Sequence, residues 1–230
     1  MKNLAIIPAR GGSKRIPRKN IKEFLGKPII AYSIEAALNS RLFDEVMVST
    51  DDEDIAAIAI QYGANVPFLR SEASANDFAT TMDVLKEVEK TYKEKENKTF
   101  DFICCIYPTA PLIQPSDLRK GYDLMLEKEY DAVYPIVSFG YPVWRGIKFN
   151  EGGRTQLVWE QFKNSRSQDL EPVYHDAGQW YWYNPQQVND TLFTNNSSAL
   201  ILTEDRVQDI DTLTDWKLAE IKYELLQHPK

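Results

Sequence analysis

The sequence predicts an α/β fold built on a largely parallel sheet, and three observations carry that reading. Short apolar runs alternate with amphipathic segments along the first 137 residues. Two of the runs, Leu4-Ala5-Ile6-Ile7 and Phe102-Ile103-Cys104-Cys105-Ile106, are apolar throughout. Strands covered on both faces look like this. No run of 18 apolar residues occurs, so no membrane-spanning helix is expected.

In chain order, residues 4–8 read as the first strand. Residues 28–39 read as a helix with Ile30, Ile34, Ala37 and Leu38 on one face and Pro28 in its first turn. Residues 46–50 form the second strand. It runs into Asp51-Asp52-Glu53, acids suited to cap a helix that carries Ile55, Ile58, Ala59 and Tyr62. Gly63 stops that helix. Residues 66–69 suggest a short edge strand, since Pro67 lacks a ladder donor. A polar loop covers 70–81, and a long helix starts near Thr81 with Leu85, Val88 and Tyr92 facing inward. The charged run 93–98 is its solvated end.

The third strand covers 102–107, and a helix from about Ser116 turns Leu118, Tyr122 and Met125 inward. The fourth strand covers 132–137. Composition then changes. Residues 139–172 hold Tyr141, Trp144, Phe149, Trp159 and Phe162 with weak periodicity, which suggests hairpins or loops outside the main sheet. Strand-like sequence returns at 179–183 and 199–202, and a helix closes the chain over 214–227.

The 230 residues are 43% hydrophobic, enough for a sizeable core without disulfides. Cys104 and Cys105 are neighbours in an apolar run and read as buried hydrophobes. The N-terminal run is too short and too quickly charged for a secretory signal, so the expected compartment is the cytoplasm. The net charge is −7 and the pI about 5.0, which argues against nucleic-acid binding. Cations gather instead after the first strand, where Arg10, Lys14, Arg15, Arg18 and Lys19 accompany Gly11 and Gly12. Such a loop suits a small polyanion: glycines let backbone N–H groups approach, and the cations neutralise it. No Gly-Lys-Ser/Thr closes the loop and no third glycine follows, which demotes the P-loop and dinucleotide classes.

Three further constellations stand out. In an extended Asp209-Ile210-Asp211 both carboxylates share one face, suited to Mg²⁺ or simply to solvent and helix capping. Tyr174-His175-Asp176-Ala177-Gly178-Gln179 is a polar turn before an aromatic strand, with no nucleophile beside it. Tyr107-Pro108-Thr109-Ala110-Pro111 ends the third strand on the edge where open α/β sheets bind ligands.

Together, the run from Ile7 to Asn20, Val48-Ser49-Thr50-Asp51, the Pro-Thr-x-Pro-Leu turn from Pro108 to Leu112, and Asp209-Ile210-Asp211-Thr212 with Asp215 resemble the cytidylyltransferases that activate acidic nine-carbon sugars. The 174–182 segment is most similar to the branch acting on pseudaminic acid.

The resemblance implies one Rossmann-like nucleotidyltransferase domain over 1–230, with 139–172 as a dimerisation lobe that completes the partner's sugar site. It implies a homodimer, CTP and a nonulosonic acid as substrates, and Mg²⁺ on Asp209 and Asp211. Arg10, Lys19 and Asp211 would be catalytic. Ala9, Gly11, Gly12, Ser13, Asn20, Arg70 and Thr81 would join Arg10 and Lys19 around the nucleotide. Tyr107, Thr109, His175, Asp176, Gln179 and a partner-donated Arg166 would meet the sugar. Where sialate members carry Gln, Ser and Arg, this chain has Tyr107, Ala110 and Ile113. The implied alternatives are N-acetylneuraminate, legionaminate or Kdo as acceptor, or a non-catalytic nucleotide-binding protein.

Overall fold

The computed structural model describes residues 1–227. β1 (Asn3–Pro8) leads through a long loop into a small hairpin, β2 (Glu23–Phe24) and β3 (Lys27–Pro28). Then come α1 (Ile29–Ser40), β4 (Glu45–Ser49), α2 (Glu53–Gln61), the one-turn α3 (Glu72–Ala75), α4 (Thr81–Lys95), β5 (Phe102–Ile106), α5 (Pro115–Lys128) and β6 (Ala132–Ser138). An outlying hairpin follows, β7 (Ile147–Phe149) and β8 (Thr155–Leu157). The chain returns through β9 (Tyr174–Asp176), β10 (Trp180–Tyr183) and β11 (Ser197–Leu202) to α6 (Leu213–Gln227).

The main sheet runs β11-β6-β10-β5-β1-β4, with β9 also on β6. β1 pairs in parallel with β4 and β5, and β11 with β6, while β10 lies antiparallel between β5 and β6. Helices cover both faces, which explains the unbroken apolar runs. Ala5, Ile7, Val48 and Cys104 pack with α1, α2 and α5 on one side. Leu4, Ile6, Met47 and Cys105 pack with α4 on the other. Adjacent strand residues thus serve opposite cores. Both cysteines are free and fully buried, and burial pushes their thiols above the ordinary range. None of the described helices is long and apolar enough to cross a membrane.

Local chemistry sets the helix starts. The Asp52 carboxylate accepts the Ile55 N–H at 3.0 Å to cap α2, and Thr80 with Asp83 forms a capping box on α4. Gly63, at φ +92°, lets the chain leave α2.

The structure departs from the sequence reading in several details: α3 falls within the stretch read as a polar loop, β9 within the stretch read as a polar turn, and three more have local causes. Residues 66–69 form no strand, and only Asn65 bridges Met47, because Pro67 has no N–H with which to extend the ladder. Pro28 is the residue before α1 rather than a first-turn residue, since β3 holds it extended. The β2–β3 hairpin was hidden because its turn places Leu25, a poor left-handed residue, at φ 45° before Gly26.

Residues 139–172 lie outside the main sheet, as hairpin β7–β8 and short 3₁₀ turns. Trp144 packs against Trp159 and Phe162, each at 5.4 Å between ring centroids. Tyr141, Ile147 and Phe149 face solvent.

Gly121 of α5 lies over Trp180. A Cβ there would sit 2.4 Å from the indole ring. Gly121→Ala is therefore expected to destabilise the fold by about 1–3 kcal/mol. Adding Trp180→Phe should recover part of that loss, as urea unfolding of the single and double variants would show.

Candidate functional site

The site begins where β1 ends. The Ala9 N–H donates to the Ser49 carbonyl at 2.9 Å, carrying the β1–β4 register one residue past the sheet. The buried Asn20 amide donates to the Arg10 carbonyl at 2.9 Å and folds the loop back on itself. The Gly11 N–H donates to the Asp51 carboxylate at 2.9 Å. A Cβ on Gly11 would lie 2.8 Å from an Asp52 oxygen, so this close approach requires glycine.

All five loop cations meet carboxylates. Arg10 pairs with Asp77 at 2.8 Å, and Lys14 binds the other oxygen of that carboxylate. Their hydrogen bonds, Lys14 first, hold the Asp77 carboxyl below its ordinary range. Arg15 pairs with Asp211 at 2.6 Å, and Arg18 bridges Asp52 and Asp54. Lys19 is the least exposed. It donates to the Ile210 carbonyl at 2.6 Å, with Asp211 at 3.8 Å. Burial lowers its ammonium pKa, while Asp211 and then Asp209 act to raise it.

A cleft of about 710 Å³ opens beside the loop. The loop after β1 lines it with Arg10, Ser13, Lys19 and Asn20, the 70–81 segment with Arg70 and Thr81, and the turn after β5 with Tyr107 and Thr109. Arg70 donates to the Ser49 carbonyl at 2.5 Å and to its Oγ at 3.1 Å. Burial lowers its pKa. The hydroxyls of Thr81 and Tyr107 are 3.4 Å apart. Ala9, Gly11 and Gly12 belong to the loop without lining the cleft.

Ile210 is buried with Ile16, Phe24 and Trp216, so Asp209 and Asp211 flank an anchored residue. The Asp215 carboxylate accepts the N–H groups of Asp211 and Thr212 at 3.1 and 2.7 Å. Among the described residues no group of three or more His, Cys, Asp or Glu side chains gathers as a metal cage. A pair of carboxylates fits only a hard cation that keeps waters or phosphate oxygens as its other ligands.

The 174–182 segment divides its residues. Asp176 opposes Ile136 and Trp182 opposes Val133, so five residues lie between them where β6 has two. The resulting bulge turns through Gly178 at φ +62°, whose N–H donates to the Asp176 carboxylate at 3.0 Å. The other Asp176 oxygen accepts the Tyr181 hydroxyl, and the Tyr181 ring lies 5.3 Å from that of Tyr107. His175 is exposed against Phe139. His175 and Asp176 border a second hollow of about 610 Å³ with Tyr134, Trp144 and Ser197. Gln179 turns inward: it is buried and donates to the Arg206 carbonyl at 2.6 Å. Arg166 is exposed on the outlying segment and borders neither hollow.

Asp77 and Tyr181 had escaped sequence reasoning. Asp77 sits in a turn built by the Asn76 carboxamide oxygen, which accepts the Phe78 and Ala79 N–H groups, and no pattern ties it to Arg10. Tyr181 read as one aromatic among several in a core strand.

The sequence profile of the cytidylyltransferase family matches residues 4–211. A pseudaminic acid cytidylyltransferase of Campylobacter jejuni is 43% identical over 227 residues, covering 98% of this chain and 97% of that protein. A CMP-N,N'-diacetyllegionaminic acid synthase of Legionella pneumophila is 37% identical, covering 99% and 98%. The solved structure of a CMP:2-keto-3-deoxy-manno-octonic acid synthetase complexed with CTP shares the fold, with a TM-score of 0.68 at 19% identity over 99% of both chains.

Asp77 holds two of the cations that a polyanion entering this cleft would meet. Both pairs are exposed, so solvent screens them and a phosphate can displace the carboxylate at small cost. Asp77→Asn is therefore expected to tighten inorganic tripolyphosphate binding by up to about tenfold in calorimetry. Unchanged or weaker binding would show that Asp77 does not compete for the cations.

Proposed function

The chain belongs to the cytidylyltransferase family, and on that premise we propose that it transfers CMP from CTP to a nonulosonic acid, pseudaminic acid in particular. The 43% identity to a pseudaminic acid cytidylyltransferase along nearly the whole of both chains carries the choice of acceptor. The cleft supports the reaction, because the cationic loop after β1 and the Tyr107-bearing end of β5 line the same hollow.

In this reading Arg10 and Lys19 neutralise the triphosphate beside Ser13 and Asn20, and Ala9, Gly11 and Gly12 shape the loop that carries them. Arg70 and Thr81 lie toward cytosine and ribose. Tyr107, Thr109, His175 and Asp176 face the acceptor. The buried Gln179 supports that wall from behind, since its carbonyl accepts the Tyr107 N–H at 2.8 Å.

The anomeric hydroxyl oxygen bonds to the α-phosphorus and gives its proton to water, the bond from that phosphorus to the bridging oxygen breaks, and pyrophosphate leaves with the bridging electrons. Such a transfer depends on alignment and charge stabilisation. Arg10 and Lys19 would meet the charge that grows on the leaving group. Asp209 and Asp211 would hold Mg²⁺, whose part when bound is to polarise phosphate oxygens. The exposed Tyr141, Ile147 and Phe149 support a homodimer formed through residues 139–172, with Arg166 offered to the partner's acceptor site.

Pyrophosphate release with CTP and a panel of acids tests the proposal. Pseudaminic acid should give the highest kcat/KM; a higher value with legionaminic acid, N-acetylneuraminic acid or Kdo would overturn the acceptor assignment. Arg10→Ala should lower turnover by about 10²–10³, and Asp211→Ala should nearly abolish it in folded protein. Turnover near normal in Asp211→Ala would sink the metal assignment.

A further inference from the structure

Residues 207–212 carry Asp209 and Asp211, yet belong to no helix or strand. What precedes them is fixed by buried polar groups. Asp117, in the first turn of α5, is only 2% exposed and takes the Arg206 guanidinium as its ion-pair partner. Gln179, 3% exposed, donates its amide to the Arg206 carbonyl at 2.6 Å. Lys222 of α6 donates to the Val207 carbonyl at 2.7 Å. One residue is therefore gripped at its side chain by α5 and at its carbonyl by the bulge before β10. Three residues later the carboxylates begin.

We propose that Asp117, Arg206 and Gln179 form a positioning clamp that sets the Asp209 and Asp211 carboxylates for a hard divalent cation. The inference rests on the proposed role of those two aspartates and adds a set of residues that would touch neither cation nor substrate. A buried ion pair adds little net stability over apolar side chains of the same volume, and breaking one is costly. Its benefit here is direction: a guanidinium fixed on a buried carboxylate has few orientations, so its backbone has few as well. Cation affinity is sensitive to this, because two carboxylates shifted by a fraction of an ångström no longer share one ion. Loss of groups that orient ligands costs about 10–100-fold in metal affinity.

The clamp also explains why Gln179 is buried. Its side chain fixes the carboxylate-bearing segment, while its main-chain carbonyl holds Tyr107. Variants at Asp117 and Arg206 separate these roles, since of the three clamp residues Gln179 alone bonds to Tyr107.

The test is a Mn²⁺ titration of the full chain loaded with CTP and no acceptor, followed by electron paramagnetic resonance. Asp117→Asn and Arg206→Met should weaken Mn²⁺ binding by about 10–100-fold. Arg206→Lys should recover part of it, and Gln179→Met should give a smaller loss. CTP affinity in EDTA, by equilibrium dialysis, should stay within about twofold of the parent. Should Asp117→Asn or Arg206→Met not fold, Arg206→Lys and Gln179→Met carry the same comparison. Parent-like Mn²⁺ affinity in the folded clamp variants, with Asp211→Ala losing the ion, would overturn the clamp alone. Parent-like affinity in Asp211→Ala as well would overturn the metal reading beneath it.

Discussion

The hydrogen bond from the Lys19 ammonium to the Ile210 carbonyl joins parts of the chain 191 residues apart. A charged donor on a carbonyl contributes about 1.5–3 kcal/mol, and here it also fixes geometry. It brings the cationic loop after β1 against the acidic segment before α6. Ile16, Phe24, Ile210 and Trp216 form a separate small core under that junction. The junction is hydrophobic below and ionic above. Apolar burial closes it, and Arg15 and Lys19 line the cleft while Asp209 and Asp211 stand outside its lining.

The sheet explains why the cleft lies where it does. Loops at the carboxyl ends of parallel strands share one edge, so β1 and β5 deliver Arg10 and Tyr107 to the same side. The antiparallel β10 complicates this, because its first residues, not its last, reach that edge. The bulge before it lets Asp176 meet Tyr181, whose ring lies beside that of Tyr107. The acceptor side of the site therefore depends on a strand arriving from the opposite direction.

Much of the fold was legible because buried parallel strands leave continuous apolar runs and helices leave a spacing of three and four. Strands such as 4–8 and 102–107 came within one residue of their ends for that reason. Short pieces were not legible. β9 has exposed side chains, and three residues cannot establish a period. The loop of the site could be read because glycines and cations cluster in sequence. The inward turn of Gln179 and the Asp77 bridge could not, since both depend on partners 27 to 67 residues away.

The resting loop has a thermodynamic consequence. Its cations are already matched by carboxylates belonging to the same chain. An incoming polyphosphate would replace tethered anions rather than expel dissolved ones. Few small ions would then be set free, so the entropy of ion release, which makes many polyanion complexes fade as salt rises, would contribute little. The protein behaves as an ion exchanger loaded with its own resin counter-charge. Its selectivity would then turn on how much better phosphate oxygens fit the loop than aspartate oxygens do.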